Sequence, residues 1–142
     1  MTKQSSSQSR PTEADNRHSV LNIPGTARTP EVLVDPEKGY LSIGGNSMPE
    51  NVNKFFAPVL EHIQAYIENP AGKTRVVFRI EYINSSSSQL MLAILYKLKE
   101  LEKKDHPLTI EWHFMVDDED IYETGKSYAE LSGLTFNFYE HQ

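Results

Sequence analysis

The stretch TRVVFRIEYINSSSSQLMLAILYKLKEL, residues 74–101, joins a strand pattern directly to a helix pattern. Over residues 74–83, β-branched and aromatic residues are frequent, and alternation along a strand would place Tyr82 on the same face as Phe78. In the second half, apolar residues recur every three or four positions, as on the buried face of a helix. The stretch therefore predicts one strand–helix unit, with four consecutive serines, Ser85–Ser88, at its junction.

Strand and helix patterns also alternate in the flanking sequence. Upstream, short apolar runs on both sides of the turn DPEKG, residues 35–39, predict a β-hairpin. A helix pattern follows, in which Ser47 and Glu50 have the spacing of a capping box, so Ser47 is the expected N-cap. Downstream, a strand, a helix and a final strand are predicted at residues 107–116, 117–133 and 134–139.

These elements give the order β-β-α-β-α-β-α-β, which predicts an α/β fold. Single helices between strands favour parallel pairing, and the hairpin adds an antiparallel pair, so the sheet should be mixed. The central strands alternate instead of being apolar throughout, which predicts helices mainly on one face of the sheet. The opposite face would then be polar and carry Arg79, Glu81, Glu111 and His113. Arg79 and Glu111 would form either a cross-strand ion pair or part of a contact surface.

Length, charge and composition exclude several classes of function. The 142 residues suffice for one domain, and residues 1–20 are so poor in apolar side chains that we expect a disordered tail before a single domain, residues 21–142. The net charge of −6 offers no basic surface for a nucleic acid. With no cysteine, membrane-spanning run or signal-peptide pattern, we expect a cytoplasmic protein without disulfides or contact with a membrane. The histidines are scattered without ligand spacing, so no metal or other cofactor is expected.

The serine run has two open interpretations. Ser86 and Gln89 form a second capping box, so Ser86 is the expected N-cap and Ser85 would lie just outside the helix on an exposed loop. In one interpretation, the run is only a polar turn with a cap. In the other, one serine is phosphorylated, since a helix N-terminus accepts a phosphate at little cost. The expected partner-binding residues are Asn84, Ser85, Ser86, Ser87 and Gln89. Unmodified, this patch is neutral, whereas a phosphate would oppose its burial against a partner.

A small hydrolase is a further alternative. Ser85, His113 and an acid, either Glu111 or Asp117, supply the residue types of a catalytic triad. However, the sequence has no G-x-S-x-G elbow, and nothing in it places a serine beside His113. We therefore expect no catalytic residues, and we interpret His113 as a histidine on the face of the sheet.

Several motifs together resemble one protein family. They are LNIPGTARTPEVLVD (residues 21–35), GYLSIGGNSMPENVNKFFAPVLEHIQAYI (residues 39–67), EYINSSSSQLMLAIL (residues 81–95) and IEWHF (residues 110–114). From residue 21 onward, the sequence resembles the SiaC family of bacterial regulatory phosphoproteins. The likeness is carried mainly by the G-x-S-x-P-E-N element of Gly45–Asn51, the element Tyr82–Ser87 and the pair Trp112–His113.

The resemblance implies a fold similar to STAS domains and a partner-switching protein without catalytic activity. In that family a serine or threonine directly after the asparagine is phosphorylated, which corresponds to Ser85 here, with Ser86 and Ser87 as the next candidates. The implied partners are a Ser/Thr protein kinase, a PP2C-type phosphatase and a diguanylate cyclase that the unphosphorylated form binds and activates. The alternative is a STAS-type anti-sigma-factor antagonist, whose partner would be an anti-sigma factor.

Overall fold

The structure, a computed structural model, describes residues 19–142, which form a six-stranded sheet and three helices. The strands are β1 (Leu21–Ile23), β2 (Glu31–Asp35), β3 (Tyr40–Ser47), β4 (Thr74–Ile83), β5 (Leu108–Met115) and β6 (Asn137–His141). The helices are α1 (Val52–Glu68), α2 (Ser85–Lys103) and α3 (Glu119–Ser132). The predicted α/β class is confirmed, and β1 is an additional strand of three residues that the sequence pattern did not reveal.

The predicted disordered tail, residues 1–20, lies almost wholly outside the described residues. The division of the chain into a tail and a domain therefore stays a prediction. Within residues 19–142, none of the helices combines the length and the apolar composition that crossing a bilayer requires.

The strands lie in the sheet in the same order as in the chain, from β1 to β6. β1, β2 and β3 pair antiparallel, whereas β3, β4, β5 and β6 pair parallel, so the sheet is mixed as predicted. Parallel β-α-β connections are right-handed, which with this strand order places all three helices on one face. The helices accordingly contact one another in sequence, α1 with α2 and α2 with α3. The core between the helices and the sheet includes the fully buried side chains of Phe56, Ile63, Phe78, Met91, Leu98 and Trp112.

A β-bulge near the end of β4 reverses the direction of its side chains. On the neighbouring β3, Gly45 pairs with Ile80 but the next residue pairs with Tyr82, so Glu81 is one extra residue in β4. Beyond the bulge, Ile83 packs against the core and Tyr82 is 52% exposed. The prediction that Tyr82 shares a face with Phe78 is therefore wrong, because the extra residue inverts the alternation.

A glycine in α3 allows the single tryptophan to pack directly against that helix. A Cβ atom added at Gly125 would lie 2.5 Å from Nε1 of Trp112, far inside the normal contact distance. The indole N–H donates a hydrogen bond to the Ile121 carbonyl at 2.9 Å. Gly125 therefore positions α3 against β5, in spite of its poor helix propensity.

Candidate functional site

The serine run lies at the carboxyl end of β4, in the first turn of α2. The helix begins at Ser85 and is capped by Asn84, whose Oδ1 accepts a hydrogen bond from the Ser87 amide at 2.9 Å. The predictions that Ser86 caps the helix and that Ser85 lies outside it are therefore wrong. Asparagine and serine are similarly favourable N-caps. Asn84 is the cap in this protein because its amide donates to the Ser47 carbonyl at 3.1 Å, which holds Asn84 at the end of β4 and lets the helix begin at the next residue.

Ser85 and Ser86 are the exposed serines of the run. As the first residues of α2, they carry amides without an intrahelical acceptor and lie at the positive end of the helix dipole. The Ser86 hydroxyl makes only a long hydrogen bond, 3.4 Å, to Oδ1 of Asn84. Gln89, one turn later, is also exposed. A phosphate on Ser85 or Ser86 would therefore meet favourable charge without displacing a buried hydrogen bond.

Ser87 and Ser88 are structural. Ser87 is fully buried at 0% exposure, and its Oγ accepts a hydrogen bond from the hydroxyl of Ser47, also fully buried, at 2.9 Å. Ser88 shares a hydrogen bond of 2.5 Å with the hydroxyl of Tyr128, whose pKa is raised by burial. In this structure Ser87 is not accessible to a kinase or a partner, which narrows the predicted switch residues to Ser85 and Ser86.

The end of β3 forms the neighbouring part of this edge of the sheet. Ser47 is its last residue, so the prediction that Ser47 caps α1 is wrong. The N-cap is Asn51, whose side chain accepts from the Lys54 amide at 3.0 Å. The Met48 amide donates to the Arg28 carbonyl at 2.8 Å, which ties the loop before β2 to the same edge. The buried Ser47 hydroxyl therefore links β3 to α2 through Ser87 and does not cap α1.

A second group of polar side chains crosses the open face of the sheet, opposite the helices. Glu111 accepts two hydrogen bonds from the guanidinium of Arg75, at 2.7 and 3.1 Å. Nε2 of His113 lies 2.9 Å from Oε1 of Glu111, and Nδ1 of His113 lies 2.8 Å from Nε2 of His141. The sequence placed Glu111 and His113 on this face correctly, but it did not identify Arg75 as the ion-pair partner of Glu111 or His141 as the neighbour of His113.

The electrostatics of this group centre on Glu111. The hydrogen bonds from Arg75 are the main reason that the pKa of Glu111 is lowered to about 2, with a further contribution from His113. The same carboxylate raises the pKa of Arg75. Since an ionised carboxylate only accepts hydrogen bonds, Nε2 of His113 donates to it. The ion pair is therefore an ionised, satisfied unit at neutral pH.

The hydrolase alternative is not supported by this geometry. Both ring nitrogens of His113 are engaged, one by Glu111 and one by His141, and neither contacts a serine. Ser85 lies at the edge of the sheet, in α2. The residue types of a triad are present, but they are not assembled. Within residues 19–142, no three His, Asp or Glu side chains are grouped so that they could hold a metal ion.

The chain matches known proteins over most of its length. The family model described as SiaC family regulatory phosphoprotein matches residues 23–141. An uncharacterized protein of Pseudomonas aeruginosa strain UCBPP-PA14 is 30% identical over 121 residues, which cover 85% of this chain and 96% of that protein.

Solved structures agree with this match. A chain in the crystal structure of the diguanylate cyclase SiaD in complex with its activator SiaC, from Pseudomonas aeruginosa, is 30% identical with a TM-score of 0.80. The alignment covers 85% of the present chain and 99% of that chain. A structure of SiaC of Pseudomonas aeruginosa is also 30% identical, with a TM-score of 0.76 over 87% of the present chain and 99% of the other.

Proposed function

The chain belongs to the SiaC family of regulatory phosphoproteins, and we propose that it is a non-catalytic switch whose unphosphorylated form binds and activates a diguanylate cyclase. SiaC of Pseudomonas aeruginosa is the activator of the cyclase SiaD, and it supports the proposal through its similarity to this chain. The observation that carries the proposal is the pair of exposed serines, Ser85 and Ser86, in the first turn of α2. Ser87 is fully buried and the Ser88 hydroxyl is bonded to Tyr128, which supports Ser85 and Ser86 as the members of the run that a kinase or a partner would contact.

The proposed switch acts through charge at a preformed surface. Ser85 directly follows the N-cap Asn84, as the acceptor residue in this family follows an asparagine, so we propose Ser85 as the phosphorylated residue. A phosphate adds nearly two negative charges to a neutral patch, and burying unpaired charges against a partner is costly. The cap and the Ser47–Ser87 hydrogen bond do not involve the Ser85 hydroxyl. Phosphorylation would therefore dissociate the complex without unfolding the start of α2.

The proposal includes two enzymes that act in the cytoplasm: a Ser/Thr protein kinase that adds the phosphate and a PP2C-type phosphatase that removes it. A STAS-type anti-sigma-factor antagonist would use the same kind of switch with a different partner. The similarity to an activator of a diguanylate cyclase supports the cyclase as the partner.

The first experiment is to map phosphorylation by mass spectrometry on protein from its native cells, with and without phosphatase treatment. We expect one phosphate on Ser85. Purified Ser85→Ala should then bind and activate the cyclase of the same organism and be insensitive to the kinase. Ser85→Asp should bind more weakly because it carries a negative charge at the same position.

Ser86→Ala is the matched control, because Ser86 is also exposed and lies in the same helical turn. It should still be phosphorylated on Ser85 and should lose binding to the cyclase on phosphorylation, as the wild-type protein does. A phosphate found on Ser86 would move the acceptor by one residue. Absence of phosphate from both serines under all growth conditions, or equal cyclase activation by Ser85→Ala and fully phosphorylated protein, would contradict the proposed switch.

A further inference from the structure

The open face of the sheet has a cleft where β4 and β5 separate. The ladder between them ends at the pair Phe78 and Trp112, although β4 continues for a further five residues. The cleft has a volume of about 540 Å³ and is bordered by residues 79–81 of β4 and 113–115 of β5. It opens at the carboxyl edge of the parallel strands, where ligands and partners of α/β proteins bind most often.

Large side chains are exposed around this cleft. Tyr82, Met115 and Tyr139 are 52%, 48% and 43% exposed. The β4 bulge turns Tyr82 to the open face, Met115 lies on the same face of β5 as His113, and Tyr139 stacks on the His113 ring at 4.9 Å. Exposed apolar groups that lie together mark interaction surfaces, and tyrosine and methionine are enriched at the centres of interfaces.

The same surface carries Arg79, a charged side chain that has no ion-pair partner among the described residues. It is exposed and pairs in the sheet with Gly44, which has no side chain to contact it. Two carboxylates, Glu81 and Asp118, line the same cleft, but within the described part of the chain no carboxylate lies within ion-pair distance of Arg79. Arg75, four residues earlier on the same face, is by contrast neutralised by Glu111. The guanidinium of Arg79 is therefore available to a carboxylate from another protein.

We propose that Arg79, Tyr82, Met115 and Tyr139 form a second docking surface, the open-face patch, for an apolar strip of the partner protein that presents a carboxylate to Arg79. The inference rests on the proposed function, in which the partner is a diguanylate cyclase. The patch is continuous with the serine run, because Tyr82 precedes Ser85 by three residues at one edge of the sheet. A partner on the patch that reaches over this edge meets Ser85, so a phosphate there repels an acidic partner surface.

The test measures binding of the purified, unphosphorylated protein to the cyclase of the same organism by titration calorimetry. Three variants change the patch: Arg79→Glu, Tyr82→Ala and Met115→Glu. Two matched controls change equally exposed residues on the helices, Tyr96→Ala at 51% exposure and Leu131→Glu at 60%. All five positions are exposed, so thermal unfolding should stay close to that of the wild-type protein.

We expect each patch variant to weaken binding by about tenfold or more, as residues at the centre of an interface do. The two helix controls should bind like the wild-type protein. Folded patch variants that bind within about twofold of the wild type would overturn the inference while leaving the proposed function intact. Loss of binding in the helix controls alone would overturn it as well, and would place the interface on the helices. Failure of the wild-type protein to bind the cyclase would instead contradict the proposed function, and the inference with it.

Discussion

The hydroxyls of Ser47 and Ser87, forty residues apart in the chain, are joined by a hydrogen bond of 2.9 Å and are completely buried. Ser47 ends β3 and Ser87 lies in the first turn of α2. The bond therefore fixes the start of the serine-bearing helix to the neighbouring strand. Each of the two serines belongs to one of the motifs through which the sequence resembles its family. The hydrogen bond explains why each of these two motifs contains a serine at this position.

Removing both partners of this hydrogen bond should cost less than the sum of the costs of removing each one alone. Ser47→Ala leaves the buried Ser87 hydroxyl without its donor, which we expect to lower the free energy of unfolding by about 1–3 kcal/mol. The double variant Ser47→Ala/Ser87→Ala leaves no buried hydroxyl unpaired and should be less destabilised than the sum of the single variants. Urea denaturation of all four proteins in the cycle measures this coupling. Additive single effects would contradict an energetic role for the bond.

Loss of the Asn84 cap should destabilise the protein and disturb the switch region. Asn84→Ala removes the acceptor of the Ser87 amide, and we expect a loss of about 1 kcal/mol in the free energy of unfolding. Asn51→Ala removes the equivalent cap of α1 and is the matched control. Both variants should lose similar stability in urea denaturation, whereas only Asn84→Ala should change the rate of phosphorylation at Ser85. Equal phosphorylation rates would show that the cap does not shape the kinase site.

Gly125→Ala should destabilise the protein although alanine is the better helix former. The added methyl group would overlap the Trp112 indole, and overpacking of this kind costs about 1–3 kcal/mol, more than the gain of about 1 kcal/mol in helix propensity. Tryptophan fluorescence should change with the displaced ring, and the thermal midpoint should fall. Lys126→Ala, at the next position of the same helix, serves as the control. A thermal midpoint of Gly125→Ala at or above that of the wild type would contradict this packing.

The ion pair between Arg75 and Glu111 should make stability depend on pH in acid. The pKa of Glu111 in the folded protein, about 2, is below its ordinary value of 4.5. A carboxyl group with a lowered pKa stabilises the fold fully above its ordinary value, and this contribution is lost as pH falls from 4.5 towards 2. Because Arg75 is half exposed, we expect a contribution of only about 1 kcal/mol.

Glu111→Gln tests this relationship. Near neutral pH the variant should be less stable than the wild-type protein in urea denaturation, and the difference should shrink as pH falls from 4.5 towards 2. Glu100→Gln, at the exposed pair with Lys103, is the control and should differ little from the wild type at any pH. A stability difference for Glu111→Gln that is independent of pH would argue against the lowered pKa.

Hydrophobic periodicity was sufficient to predict the long elements of this fold. The apolar residues Ile110 and Trp112 of β5 and the apolar face of α2 are buried in the core, so the α/β class and the one-sided helix layer follow from the sequence. β1 escaped prediction because its three residues, Leu21–Ile23, are too few for an alternation pattern. The strand exists because it pairs with β2, a contact between elements that local sequence does not encode.

The helix caps and the bulge show where local rules fail. Ser47 and Ser86 satisfy the capping-box spacing, yet Asn51 and Asn84 are the caps. Ser47 instead ends β3 and bonds to Ser87, and its carbonyl accepts a hydrogen bond from the Asn84 amide, which places Asn84 at the start of α2. The extra residue Glu81 reverses the alternation of side chains at the end of β4, so Tyr82 is exposed where strict alternation would bury it. In both cases a tertiary contact overrides a valid local preference, and in both cases the change lies beside the candidate site.

The strict succession of strands across the sheet has a consequence for how the protein is made. Each new strand joins the outer edge of the part already formed, so no strand must be inserted between two earlier neighbours. During synthesis, the hairpin of β2 and β3 can form first, and each later helix–strand unit then adds to the growing edge as it leaves the ribosome. The serine run emerges between β4 and β5, when its buried partner Ser47 is already available. In this order, each parallel strand pairs with the strand that precedes it in the chain. The contacts that form slowly are then separated by only one helix in the sequence.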